Sequence, residues 1–101
     1  MNTTVVTHKT RDPAKPSFYI GRPSALGNPF VLGRDGDRAT VVARYATWLE
    51  ERIKARDAAV LDALDRIRLI RRAAGEVQLV CYCSPLACHG DVVARVIEQN
   101  C

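Results

Sequence analysis

The chain lacks a long apolar run. Nothing in its 101 residues approaches the roughly 18 consecutive apolar positions that a membrane-spanning helix needs. Met1 to Thr10 carries no apolar core of the secretory type. A soluble, cytoplasmic protein with reduced thiols is therefore expected. No repeat, linker or low-complexity tract interrupts the chain. Neither sign of charge dominates. Fifteen Lys and Arg stand against eleven Asp and Glu, a net +4, which suits an anionic ligand or nucleic acid but demands neither. With four cysteines, a disulfide framework is also disfavoured, because Cys81 and Cys83 are next-but-one neighbours on an expected strand and poorly placed to bridge.

What remains fits one small domain over residues 1–101, with an ordinary 48% hydrophobic content. Thr3 to Thr7 and Phe18 to Ile20 read as short strands, separated by a loop from His8 to Pro16. Arg22 to Gly36 is non-periodic and carries Gly27, Gly33 and Gly36. Asp37 is a plausible N-cap. After it, Val41, Val42, Tyr45, Trp48, Leu49 and Ile53 recur at helical spacing. A second helical stripe runs through Val60, Leu61, Leu64, Ile67 and either Ile70 or Arg71, closed by Gly75. Val77 to Cys83 reads as a central strand, apolar on both sides, with Tyr82 in the core. A last helix carries Val92, Val93, Val96 and Ile97. The alternation predicts an α/β domain: a three- to four-stranded, at least partly parallel sheet flanked by about three helices.

Three of the four cysteines and one of the two histidines crowd into Cys81-Tyr82-Cys83-Ser84-Pro85-Leu86-Ala87-Cys88-His89. Cys81, Cys83, Cys88 and His89 are a nominal zinc set, and zinc is the one cofactor the residues suggest. The spacing is not the usual C-x2-C knuckle, and adjacent Cys88 and His89 would normally point apart. Cys81 reads equally as a small core residue. A catalytic reading is also open. Cys83 ends the strand, and Cys88 precedes a helix whose N-terminus would lower its pKa and make it a nucleophile. His89 would be its base. Asp91 would orient His89 or, more simply, cap the helix. Gly90 permits close backbone approach.

The second motif is Gly21-Arg22-Pro23-Ser24-Ala25-Leu26-Gly27-Asn28-Pro29-Phe30. It matches neither a Walker loop nor a dinucleotide fingerprint. Its backbone amides at Gly21 and Gly27, the Arg22 cation, the Ser24 hydroxyl and the Asn28 amide suit a phosphate, a ribose or a base edge. Asn28 reads equally as a structural turn residue. In a parallel sheet, ligands bind beyond the carboxyl ends of the strands. Both motifs begin where a strand stops, so they share one crevice if the strands are parallel. Thr7 and His8 would reach it too.

Together GRPSALGNPF and CYCSPLACHGDV resemble a family of small bacterial and phage proteins known as domain of unknown function 4326. The resemblance covers about residues 17 to 98. Its signature positions here are Gly21, Arg22, Pro23, Gly27, Asn28, Pro29, Phe30, Cys81, Cys83, Pro85, Cys88, His89, Gly90 and Asp91. It implies a phage or bacterial setting, with the host cytoplasm as location for a phage protein, and supplies no activity. The expected function is binding of a nucleotide-like, phosphate-bearing ligand, with Cys/His-dependent transfer or hydrolysis if there is turnover. The alternative is a non-catalytic, zinc-stabilised module that binds nucleic acid or a host protein. The basic middle of the chain, with Arg52, Lys54, Arg66, Arg68, Arg71 and Arg72, is interleaved with acids and reads as an ordinary helix surface.

Overall fold

In the computed structural model, which describes residues 2–82 and 88–99, the elements are β1 (Asn2–Val6), β2 (Ser17–Tyr19), α1 (Arg38–Lys54), α2 (Ala58–Ala74), β3 (Glu76–Val80) and α3 (His89–Gln99). The three strands form a parallel sheet in the order β1-β3-β2. Val6 and Tyr19 both pair with Val80, so the three carboxyl ends lie level at one edge. The α/β expectation holds. β3 is the central strand, and Val77, Leu79 and Val80 are all buried, as a strand covered on both faces requires.

The third strand is shorter than its apolar run suggests. The last ladder bonds run from the Ile20 amide to the Val80 carbonyl (3.0 Å) and from the Cys81 amide to the Val6 carbonyl (2.9 Å). Past them both neighbours turn away, β1 into the Thr7–Thr10 turn and β2 at Gly21. With no partner backbone to pair with, the strand ends at Val80 rather than Cys83, which itself lies outside the described residues.

β1 and β2 are consecutive, parallel and separated by β3, so residues 7–16 must cross the sheet without a helix. Gln78 makes this workable. It is 5% exposed in the middle of β3. Its Oε1 accepts from the Asp12 amide at 2.8 Å, and its Nε2 donates to the Asp12 and Lys15 carbonyls at 2.9 and 3.3 Å. One buried amide thus satisfies several backbone groups of a covering loop.

Side chains set the helix ends. The Asp37 carboxylate accepts from the Thr40 amide at 2.8 Å and opens α1, while Asp57 accepts from the Val60 amide at 3.2 Å and opens α2. Gly75 closes α2 with a left-handed φ of 80°, a conformation that costs glycine least. The core joins Tyr45 and Leu49 of α1, Val60, Leu64 and Ile67 of α2, and Val92, Val93 and Ile97 of α3 with Val77 and Leu79. Trp48 is only half-buried beside it. On α2 the inward residue is Arg71, 5% exposed, which reaches Glu98 of α3 at 2.8 Å.

Gln78→Ala should destabilise the fold by about 2–3 kcal/mol, because it strands buried backbone groups of the crossover. Urea unfolding of the two proteins measures it.

Asp37 also gives the fold a defined acid response. The Thr40 amide and hydroxyl hold its carboxyl below the ordinary carboxylate value. A lowered folded pKa contributes stability above the unfolded value of about 3.9, and that contribution is lost as pH falls through the lowered one. Asp37→Asn keeps a capping oxygen without titrating. Its melting temperature should therefore fall less than that of the native chain below about pH 4, as an acid melting series would record.

Candidate functional site: a crevice at the strand ends

Beyond β2 the chain turns twice. The Ser24 amide donates to the Gly21 carbonyl and the Gly27 amide to the Ser24 carbonyl, both at 2.9 Å. The peptide between Arg22 and Pro23 is cis. Gly27 lies so close to Arg22 that a Cβ there would come within 2.9 Å of the Arg22 Cα. Asn28 then anchors the loop. Its Oδ1 accepts from the Phe30 amide at 2.9 Å and its Nδ2 reaches the Val41 carbonyl at 3.4 Å. The Tyr45 hydroxyl donates to the Leu26 carbonyl at 2.7 Å, and the Arg44 guanidinium lies 5.8 Å from the Phe30 ring centre. The glycine-bearing loop is thereby held on the first half of α1.

Beyond β3, Cys81 is fully buried and Tyr82 turns outward, 71% exposed. Cys88 then opens α3 as its N-cap. Its sulfur accepts from the Gly90 amide at 3.3 Å, and the Asp91 carboxylate reaches back to the Cys88 amide at 3.2 Å. Cys88 thus caps through its sulfur at the second helical amide, and Asp91 supplies the reciprocal half of a capping box. Asp91 therefore caps the helix rather than orienting His89.

His89 is buried, with its ring edge-on to Tyr45 at 5.0 Å. Its Nε2 lies 2.7 Å from the Ile20 carbonyl oxygen. A carbonyl can only accept, so Nε2 carries a hydrogen and donates it to Ile20. This bond joins the second turn to the residue just before Gly21. The two turns consequently face one crevice of about 120 Å³. Gly21, Arg22, Asn28, Phe30 and Leu32 line it from the first loop. Arg38, Val41 and Val42 line it from α1, and Tyr82, Cys88 and His89 from the second turn.

The family described as Domain of unknown function (DUF4326) matches residues 5–99. The chain belongs to this family. The match begins at residue 5, inside β1, and so extends upstream of the stretch from residue 17 that carries the two motifs. No curated protein and no solved structure matches the chain.

In this DUF4326 domain, not every expected site residue meets the crevice. Ser24 lies apart, in a hollow with Ala59, Asp62 and Arg66, because the turn from Gly21 to Gly27 rolls its side chain toward α2. The Ser24 oxygen is buried and has no hydrogen-bond partner among the described residues. Gly27 and Gly90 act through packing. A Cβ on Gly90 would meet Val5 Cγ1 at 2.8 Å and Ile20 Cδ1 at 3.2 Å, so glycine there lets α3 close onto the strand ends. Tyr82 is not core, since the strand has already ended and its alternation no longer applies.

The expected lowering of the Cys88 pKa is reversed. Hydrogen bonding with Cys81, whose sulfur is 3.3 Å away, is the largest cause holding the thiol protonated. Burial adds to it, with smaller contributions from the charges of Cys81 and Asp91, against one opposing bond from the Gly90 amide. The helix terminus is outweighed by desolvation and a sulfur neighbour.

As for zinc, Cys81 and Cys88 do converge, but the Nε2 of His89 is engaged by Ile20, and Cys83 lies outside the described residues. No group of three His, Cys, Asp or Glu among the described residues is placed to hold a metal. The nominal four-ligand set is not assembled by these residues.

Residues that the motifs did not single out also take part. Arg38 and Leu32 line the crevice. A trio of rings rims the strand ends, with His8 5.2 Å from Tyr82 and 5.9 Å from Tyr19, and Tyr19 6.1 Å from Tyr82. Hydrogen bonding with the Tyr82 side chain is the main cause that raises the Tyr19 hydroxyl above its ordinary pKa. The available signal was positional, because each of the three rings sits at or just beyond the end of a strand. No helix of the described residues is long and apolar enough to cross a membrane.

Gly90→Ala should cost about 1–3 kcal/mol, because the added methyl forces α3 away from Val5 and Ile20. Thermal unfolding measures it. A Tm equal to that of the native chain would show that α3 does not pack this closely.

Proposed function

We propose that this domain binds a small, phosphate-bearing, nucleotide-like ligand in the crevice. The observation that carries the reading is the convergence of two turns beyond the carboxyl ends of a parallel sheet, where such folds bind their ligands. The lining is mixed in the way a ligand site requires. Arg22 and Arg38 supply positive charge, Asn28 and His89 are fixed polar groups, and Phe30, Leu32, Val41, Val42 and Tyr82 are apolar. Among the described residues Arg22 forms no ion pair.

Binding is better supported than turnover. Cys88 is a protonated, hydrogen-bonded cap, not an activated nucleophile. The alternative, a zinc-stabilised module, rests on the Cys81–Cys88 sulfur pair. One zinc per chain with unfolding on chelation would favour it. The helical charges lend the nucleic-acid reading little support. Arg66 pairs with Asp62, Arg68 with Asp65 and Lys54 with Glu50, as ordinary solvated helix faces do.

Nucleoside monophosphates should raise the melting temperature. At ten times Kd the linkage contributes about 1.4 kcal/mol, several degrees for a domain of this size. Arg22→Ala should remove most of the shift. It is the informative variant, because Asn28 and His89 also hold the loops together and their loss would alter stability directly. A series of phosphate-bearing ligands with no stabilising member would overturn the reading.

A further inference from the structure

We propose that the crevice takes a flat nucleobase, and that the exposed ring of Tyr82 is the surface on which it stacks. This rests on the phosphate-ligand reading above and names the part of the ligand that the domain recognises. The large apolar side chains most exposed among the described residues are Leu32 (51%), Leu69 (63%) and Tyr82 (71%). Two of these, Leu32 and Tyr82, line the same crevice. Exposed apolar surface gathered around a concavity marks a site that a ligand covers.

Tyr82 is also braced. His8 and Tyr19 lie against it with ring centres at 5.2 and 6.1 Å, one from the end of each flanking strand. A ring fixed in this way loses little freedom when a ligand stacks on it. The size is suitable as well. The crevice of about 120 Å³ is close to the engineered cavity of about 150 Å³ that holds a single benzene. It therefore admits one ring system, with the rest of the ligand extending through the open mouth. Arg22 and Arg38 line the same walls and offer charge to the phosphate. A flat face distinguishes a nucleoside phosphate from a sugar phosphate of equal charge, and Tyr82 is the residue that would read it.

The test is calorimetric titration of the full chain with adenosine monophosphate and with ribose 5-phosphate. The native protein should prefer the nucleotide by roughly 5- to 100-fold, the range expected for one stacked base. Tyr82→Ala should weaken nucleotide binding by about that factor and leave ribose 5-phosphate unchanged, while Tyr82→Phe should retain the preference. The side chain is largely exposed, so the variants should fold, and the melting temperature of each confirms it. Equal affinity for both ligands in the native protein would overturn the stacking role while leaving the phosphate reading intact. So would a Tyr82→Ala variant that keeps its preference. Binding of neither ligand would remove both readings.

Discussion

The arrangement depends on one hydrogen bond, from Nε2 of His89 to the carbonyl of Ile20 at 2.7 Å. Ile20 is the last residue before the glycine-bearing loop, and His89 is the first residue of α3. Tyr45 also touches both turns, through the Leu26 carbonyl and the His89 ring, but this bond joins them directly. With it, a buried imidazole fixes the spacing between them. The bond sits in an apolar setting against Tyr45, where an unpaired ring N–H would be costly. The same group that closes the crevice is therefore held by the core.

The cysteines are organised by the same logic. Cys88 looks like chemistry in the linear sequence because thiols near a helix start are often reactive, and Cys81 looks like a zinc ligand beside it. In the fold they face each other in the core, 3.3 Å apart and almost fully buried. The Cys81 thiol lowers the tendency of Cys88 to ionise. Cys88 uses its remaining capacity to cap α3, and Asp91 completes the cap. Burial and mutual contact outweigh the helix terminus, so the pair serves packing first. The polar character of the crevice passes to Arg22, Arg38, Asn28 and His89.

Much of the architecture was legible because it rests on local rules. Asp37 and Gly75 announce helix ends through capping chemistry, and the spacing of Tyr45, Leu49, Val60, Leu64 and Ile67 declares buried helix faces. Val77, Leu79 and Val80 declare a doubly covered strand. The shared crevice followed conditionally from two motifs that each begin at a strand end. Other features were not legible. Gln78 looks like a polar interruption in an apolar strand, yet it holds the crossover at Asp12 and Lys15, residues more than sixty positions away. Ser24 sits in the middle of the glycine-bearing motif and still turns toward α2. Tyr82 alternates as a core residue would, but the pairing has ended two positions before it.

The sequence by itself determined the order of elements, the identity of the central strand and the two stretches that line the crevice. Those properties follow from periodicity, caps and turn residues, which act over a few positions. Only the tertiary structure decided which side chains share the crevice, that Cys88 is a protonated cap and that Tyr82 is a surface ring. Those outcomes depend on burial and on partners distant along the chain, as with the sulfur of Cys81, the carbonyl of Ile20 and the ring of His8. Electrostatics and desolvation respond to what is near in space, and spatial neighbours are fixed only when the sheet closes in parallel.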